Sequence, residues 1–122
     1  MKKNFSLSVS AHSFASKLSS EKGNPQEYRE LAQLGLAIGF KYKAHKDLDK
    51  ATLKHKIADQ DDLIYDGAAV VIYKGLYPET SDKDLSINIE KAASYGIDII
   101  EQKYYKKQDK VIDWKKIIKD FF

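Results

Sequence analysis

The stretch from residue 4 to residue 42 decides the predicted fold, and it reads NFSLSVSAHSFASKLSSEKGNPQEYRELAQLGLAIGFKY. Residues 4–9 alternate polar and apolar side chains, which is the period of a half-buried β-strand. Apolar side chains then recur at the spacing of one helix face, at Ala11, Phe14, Ala15 and Leu18. The sequence therefore predicts a short strand followed by a helix, with Ser10 as the N-cap.

A second and longer helix is predicted directly after the first. Gly23 suits the position just past the end of the first helix, because glycine adopts a left-handed backbone at little cost. Asn24 and Pro25 then supply a capping side chain and a proline at the first helical position. We expect this second helix to run from Pro25 to about Tyr42.

The order strand, short helix, long helix resembles a ribbon-helix-helix DNA-binding unit, in which the N-terminal strands of two chains form a ribbon. The apolar residues of the alternation would then point inward, and a two-stranded ribbon fits the major groove. The residues expected to face the DNA are Asn4, Ser6 and Ser8. Small serines predict weak sequence specificity. The free N–H groups that follow Asn24 at the start of the second helix, at about residues 25–28, are expected to donate to a phosphate. The alternative is a plain edge strand followed by an ordinary capped helix.

The second helix has almost no polar face between residues 31 and 40, where only Gln33 interrupts the apolar run. Such a helix must be covered on every side. Gly35 and Gly39 lie one turn apart, and their expected benefit is the close approach of another helix. We predict an oligomer interface formed by Leu31, Gly35, Ile38 and Gly39. The alternative is burial inside a monomeric helical bundle.

A basic stretch follows between residues 41 and 56. It offers few apolar side chains, so we expect a short and exposed helix over residues 47–57. Lysines bind DNA phosphates without reading sequence. The candidates for this role are the two N-terminal lysines and four lysines of the basic stretch, namely Lys2, Lys3, Lys41, Lys43, Lys46 and Lys50.

The second half of the chain is predicted to be helical as well. The acidic run of residues 59–62 is expected to cap a helix that buries Leu63, Ile64, Ala68, Val71 and Ile72. Residues 69–73 are rich in β-branched side chains, so a strand is the alternative there.

Ser81 and Asp84 form a near capping box that opens the next helix, which we expect to extend to about Lys106. Its predicted core side contains Ile87, Ala92 or Ala93, Tyr95, Ile99 and Ile100. After a break at residues 108–110, a C-terminal stretch should dock on the core through Val111, Trp114, Ile117, Ile118, Phe121 and Phe122. The predicted fold is thus mainly α, with one short N-terminal strand followed by a compact bundle of about four to five helices.

Composition bounds the class of protein. The chain has 122 residues, of which 43% are hydrophobic and 32% charged, so residues 1–122 are expected to form a single domain. The sequence has no membrane-spanning apolar run, no signal-peptide pattern and no cysteine, which favours a prokaryotic or phage cytoplasmic protein. Residues 1–56 hold 11 basic and 5 acidic side chains, residues 57–101 hold 3 and 10, and residues 102–122 hold 7 and 3. Two basic ends favour a positive face; the alternative is ordinary solvated charge.

Patterns that predict catalysis are weak in this sequence. His12, His45 and His55 lack the i, i+3 or i+4 spacing of metal ligands. The acidic run near residue 60 lacks the glycine and the glutamate that a calcium loop requires. A metal-dependent nuclease would use Asp84, Glu101 and Lys103, but it needs the Glu-x-Lys group on a strand, and this segment is predicted to be helical. We therefore predict no enzymatic activity, no cofactor and no metal.

Three segments resemble the DndE family and related short proteins encoded with DNA phosphorothioation systems in bacteria and archaea. They are residues 5–11 leading through residues 23–25, the apolar helix at residues 31–43, and residues 90–100. The resemblance implies an α-rich, self-associating, non-enzymatic accessory that binds DNA or a partner in DNA modification or anti-phage defence. That family carries surface lysines for DNA, which implies this role for Lys17, Lys22, Lys41 and Lys43.

The predicted function is a non-catalytic DNA-binding accessory protein of a prokaryotic DNA modification or anti-phage defence system. We expect low sequence specificity, a homo-oligomer, contacts with other subunits of such a complex, and no membrane. One alternative is a ribbon-helix-helix transcriptional regulator. The other is a protein-interaction subunit of a defence complex that does not bind DNA.

Overall fold

A computed structural model describes residues 4–19, 28–43, 58–59 and 68–121. The described residues form five helices, which are α1 (Val9–Ser19), α2 (Tyr28–Tyr42), α3 (Ala68–Leu76), α4 (Asp82–Lys103) and α5 (Trp114–Phe121). They also form four two-residue strands, which are β1 (Asn4–Phe5), β2 (Ala58–Asp59), β3 (Tyr105–Lys106) and β4 (Val111–Ile112). The prediction of a mainly helical fold is confirmed.

Helix α1 begins two residues earlier than predicted. The Ser8 hydroxyl accepts a hydrogen bond from the Ala11 N–H at 3.2 Å, which is the contact of an N-cap side chain. Ser10 therefore lies inside the first turn, and its prediction as the N-cap is wrong. The predicted apolar face is confirmed, because Ala11, Phe14, Ala15 and Leu18 are all buried.

Strand β1 pairs antiparallel with β2 of the same chain, with Asn4 opposite Asp59 and Phe5 opposite Ala58. The polar residues that follow β1 face inward, since Ser6 and Ser8 are buried. The outward, DNA-facing position predicted for Ser6 and Ser8 is therefore wrong. The ribbon-helix-helix arrangement of the N-terminal half is not confirmed, because the pairing seen for β1 is made within one chain.

We call residues 6–10 the N-terminal strap, since this segment lies along α4 and is fixed there by polar contacts. The Ser6 N–H donates to Glu90 Oε2 at 2.5 Å, and the Ser8 N–H donates to Ser94 Oγ at 3.0 Å. The Ser10 hydroxyl donates to Asp98 Oδ1 at 3.1 Å. The three acceptors Glu90, Ser94 and Asp98 are spaced four residues apart and therefore lie along one side of α4.

The packing of α2 against α4 forms the centre of the core. A Cβ atom on Gly35 would lie 2.6 Å from the Ala93 carbonyl oxygen, and one on Gly39 would lie 2.3 Å from the Ala92 carbonyl oxygen. Gly96 gives the closest approach, because its Cβ would lie 1.6 Å from the Gly35 carbonyl oxygen. The close approach of another helix to α2, which the spacing of Gly35 and Gly39 predicted, is made by α4.

The residues predicted at an oligomer interface therefore lie in the chain's own core. Leu31, Gly35, Ile38 and Gly39 are all buried by the protein itself. Their packing corresponds to the alternative of burial inside a bundle, and a second copy could reach them only by separating α2 from α4. Formation of an oligomer through other surfaces stays a prediction.

Helix α3 includes residues 69–73, for which the sequence allowed either a helix or a strand. Its predicted buried face is wrong at Val71 and Ile72, whose side chains are 70% and 48% exposed. Tyr73 is buried instead, and its ring packs 4.8 Å from that of Tyr77 and 6.2 Å from that of Phe40. Asp59 lies in β2 rather than at a helix start, and the predictions for Leu63 and Ile64 lie outside the described residues.

Helix α4 begins as predicted, because the Ser81 hydroxyl accepts from the Asp84 N–H at the N-cap. It ends at Lys103, three residues before the predicted end at Lys106. Ile87 is exposed, contrary to prediction, while Leu85 and Ile89 are buried in its place. At the N-terminal end of α4, the observed core face thus lies about half a turn from the predicted one.

The C-terminal segment docks on the core as predicted. Strands β3 and β4 form a hairpin that pairs Tyr105 with Ile112, and α5 then buries Ile117. Trp114 and Ile118, predicted on the core side, are more exposed, at 39% and 58%. The hairpin and α5 reverse the chain so that α5 returns over the C-terminal end of α4.

Candidate nucleic-acid interface

Lysines and aromatic rings alternate where α5 meets the C-terminal ends of α2 and α4. We call this group the lysine–aromatic cluster. Its members are Lys41, Tyr42, Lys103, Tyr104, Lys116 and Phe121. Helix α2 lies far from α4 and α5 in sequence, and the docking of α5 brings side chains of all three helices together.

The aromatic rings form the base of the cluster. The ring of Phe121 packs edge-on at 6.0 Å from that of Tyr42 and at 5.8 Å from that of Tyr104. Tyr42 also meets Tyr95 of α4 at 6.4 Å. Edge-to-face contacts between rings are favourable beyond the area they bury, so these rings provide a rigid support for the side chains above them.

Each lysine of the cluster places its ammonium group over one of these rings. Lys41 lies 4.7 Å from the centre of Phe121, Lys103 lies 5.3 Å from that of Tyr42, and Lys116 lies 5.6 Å from that of Tyr104. The negative face of a ring attracts a cation at this range. The three positive charges are thereby held at defined positions on the surface.

Two of the lysines also bind helix C-termini. Lys41 Nζ donates to the Asp120 carbonyl oxygen at 2.6 Å, and Lys116 Nζ donates to the Lys103 carbonyl oxygen at 3.3 Å. The last carbonyl groups of a helix carry partial negative charge and lack partners within the helix. These contacts stabilise the ends of α5 and α4, so both lysines have a structural role in addition to any binding role.

Tyr104 is the buried member of the cluster and is bonded to α5. Its hydroxyl donates to Asp120 Oδ2 at 2.8 Å, and the side chain is buried. Burial, followed by the hydrogen bonds with Asp120 and Tyr42, raises the pKa of Tyr104 well above its usual value. The phenol therefore keeps its proton and remains the donor of the hydrogen bond to the Asp120 carboxylate.

Further lysines surround the cluster. Residues 102–122 hold 7 basic and 3 acidic side chains, and the lysines of the β3–β4 turn and of α5 outside the cluster are exposed. On α1, Lys17 lies over the ring of Tyr105 at 5.0 Å, and Phe14 meets that ring edge-on at 5.1 Å. The hairpin residue Tyr105 thus contacts a lysine and an aromatic ring of α1.

Of the residues predicted to bind DNA, Lys17, Lys41 and Lys43 are described and exposed. Lys41 belongs to the cluster, Lys43 follows α2 directly, and Lys17 packs on the hairpin. Asn4 lies in β1, while Ser6 and Ser8 are buried. Six predicted residues lie outside the described part of the chain, namely Lys2, Lys3, Lys22, Asn24, Lys46 and Lys50.

Sequence reasoning missed Lys103 and Lys116 as members of the site. The positive balance of residues 102–122 was the pattern that pointed to this segment. Their exact roles depend on the reversal of the chain at the β3–β4 hairpin, which places α5 beside the end of α4.

The strand arrangement that the nuclease alternative requires is not present among the described residues. Glu101 and Lys103 lie in the last turn of α4, so the strand that the nuclease alternative requires is a helix here. Within the described ranges, His, Asp and Glu do not gather in groups of three that could hold a metal ion. A groove of about 590 Å³ lies at the junction of α3 and α4, where Glu79, Asp84 and Asn88 line it.

The described helices include none with the length and apolar character needed to cross a lipid bilayer. Comparison with known proteins gives no match to a protein family, to a curated protein or to a solved structure.

Proposed function

We propose that this protein is a non-catalytic DNA-binding protein that contacts the phosphate backbone through the lysine–aromatic cluster. The observation that carries the proposal is the placement of three ammonium groups on aromatic rings at one corner of the molecule. Lysines held in this way need little reordering when a phosphate binds, because part of their conformational freedom is already lost.

The surrounding charge supports the same partner. The cluster lies in a segment with 7 basic and 3 acidic residues, and Lys17 and Lys43 extend the positive surface beyond it. Lysine contacts to phosphates give affinity and orientation but carry no sequence information. Binding is therefore proposed to be sensitive to salt and nearly independent of base sequence.

The biological setting proposed is an accessory role in prokaryotic DNA modification or anti-phage defence. It rests on the sequence resemblance to the DndE family and not on the geometry of the cluster. A transcriptional regulator of ribbon-helix-helix type is disfavoured, because Ser6 and Ser8 are buried against α4 and cannot enter a DNA groove.

The test is fluorescence anisotropy with labelled intact and nicked duplexes over a series of salt concentrations. The variant Lys103→Gln/Lys116→Gln should weaken binding and lower the slope of log affinity against log salt by about two, since each phosphate contact contributes about 0.9. Lys74→Gln on α3 removes one charge outside the cluster and should change the slope less. Thermal melting of each variant shows whether the fold is intact.

A protein-interaction subunit is the second candidate function. It is favoured by the exposed aliphatic side chains of Val71 and Ile72 on α3. If the intact protein does not bind either duplex at low salt, the DNA proposal fails and this candidate becomes the better account.

A further inference from the structure

Two non-glycine residues in the described part of the chain have a positive φ angle, and both are exposed lysines. Lys43 has φ of 51° and Lys110 has φ of 55°. In this left-handed region the Cβ atom crowds the following carbonyl group, so glycine is the preferred residue, with asparagine and aspartate next. At both positions the left-handed backbone therefore costs more conformational energy with lysine than it would with glycine.

Each lysine stands where glycine commonly occurs. Lys43 follows the end of α2, and its N–H donates to the Phe40 carbonyl oxygen at 3.1 Å to close the helix. This position just past a helix is the usual place of a C-terminal glycine. Lys110 is the last residue of the four-residue turn that joins β3 to β4, and hairpin turns also favour glycine at left-handed positions.

The two positions adjoin the lysine–aromatic cluster in sequence. Lys43 directly follows Tyr42, and the hairpin that contains Lys110 begins directly after Tyr104. The hairpin turn spans residues 107–110, all exposed, with Lys107 as a further positive charge and Lys106 beside it in β3. A hairpin is narrow enough for the major groove of DNA, which admits a two-stranded ribbon.

We propose that the β3–β4 hairpin is a DNA-contacting element and that Lys110 and Lys43 bind phosphates of the DNA it contacts. This inference rests on the proposed DNA binding and adds the element and the two residues that make the contact. Strained backbone at a lysine is retained because the charge is needed at that point, which is a recognised relation between strain and function.

The test replaces each lysine with glycine in the full chain and measures stability and DNA binding together. Lys43→Gly and Lys110→Gly should each raise the melting temperature by about 2–6 °C, because the strain is removed. Each should also weaken binding to duplex DNA several-fold and lower the salt slope by about one. A gain in stability with a loss of binding is a combination that a purely structural lysine would not give.

Two companion variants separate charge from backbone conformation. Lys110→Arg keeps the charge and the strain, so it should bind and melt like the parent protein. Lys110→Asn loses the charge, but asparagine tolerates a left-handed backbone. This variant should bind DNA as weakly as Lys110→Gly, and it does so without the greater backbone flexibility of glycine.

The outcomes distinguish this inference from the proposed function. If both glycine variants bind like the parent while Lys103→Gln/Lys116→Gln binds weakly, the cluster binds DNA and the role of the hairpin is refuted. A melting temperature that falls in both glycine variants would refute the strain argument. If the parent protein binds vesicles of phosphatidylserine and phosphatidylcholine but not DNA, both proposals fail and a membrane surface is the partner.

Discussion

Single glycines determine how closely α2 and α4 approach. The contact between Gly35 and Gly96 is one of backbone against backbone, so flexible side chains cannot relieve a clash there. Atoms of both helices would have to move apart to admit even one methyl group. The residues that matter most for stability at this point are therefore those with no side chain.

Gly96→Ala should destabilise the fold severely. A Cβ at this position would lie 1.6 Å from the Gly35 carbonyl oxygen, and overpacking in a core costs about 1–3 kcal/mol or more. Chemical denaturation measures the loss, and failure to fold is its extreme form. Gly75→Ala is the matched control, because a Cβ there meets nothing within 4 Å. It should stabilise α3 by about 0.5–1 kcal/mol, and equal effects of the two substitutions would contradict the packing described.

At the scale of elements, the N-terminal strap and α4 stabilise each other through polar groups rather than apolar ones. Ser94 is buried and its hydroxyl accepts the hydrogen bond of the Ser8 N–H. Residues 6–8 of the strap lie outside the helices and strands, so the backbone N–H groups of Ser6 and Ser8 depend on the side chains of α4.

Ser94→Ala should destabilise the protein by about 1–3 kcal/mol, because it leaves the buried Ser8 N–H without its acceptor. Amide hydrogen exchange of Ser8 should accelerate in the same variant. Ser10→Ala is the comparison, since its hydroxyl bond to Asp98 is only partly buried and should matter less. Unchanged exchange at Ser8 in Ser94→Ala would show that the strap is held in some other way.

Elements with local causes were predictable from the sequence. The N-cap at Ser81 depends only on residues within one helical turn. The spacing of the glycines in α2 predicted a close contact with another helix. The sequence could not specify that α4 makes this contact, because the same glycines would serve a dimer. It also misplaced Ser6 and Ser8, since their alternation with apolar residues indicates an exposed polar face unless a distant partner accepts their N–H groups.

The candidate site was predictable only in part, for the same reason. Lys41 was identified from the basic stretch after α2. Lys103 and Lys116 lie in separate helices, and they reach the same corner only because the β3–β4 hairpin reverses the chain. Charge balance along the sequence located the segment but could not place its side chains.

The whole molecule should lose stability at alkaline pH through its buried tyrosines. Burial raises the pKa of Tyr73, Tyr77 and Tyr104 above the usual value of 10.0. Below pH 10.0 both states keep these protons, so stability does not depend on them. Above it the unfolded state loses protons that the folded state retains, which favours unfolding.

The melting temperature should therefore fall as pH rises above about 10, in step with tyrosinate absorbance. Tyr104→Phe removes one of the three groups, so its melting temperature should depend less steeply on pH in that range. It should also be less stable at neutral pH, since it lacks the bond to Asp120. A parent protein whose stability is constant into strongly alkaline solution would contradict the burial of these phenols.

The attachment of the N-terminal strap to α4 has a consequence for the order in which the protein acquires its structure during translation. Ser6 and its acceptor Glu90 are 84 residues apart, and Ser10 and Asp98 are 88 apart. At a synthesis rate of about 5–20 residues per second, the strap is synthesised roughly 4–18 seconds before its partners. The strap leaves the ribosome before α4, and it is thus among the last segments to reach its native position.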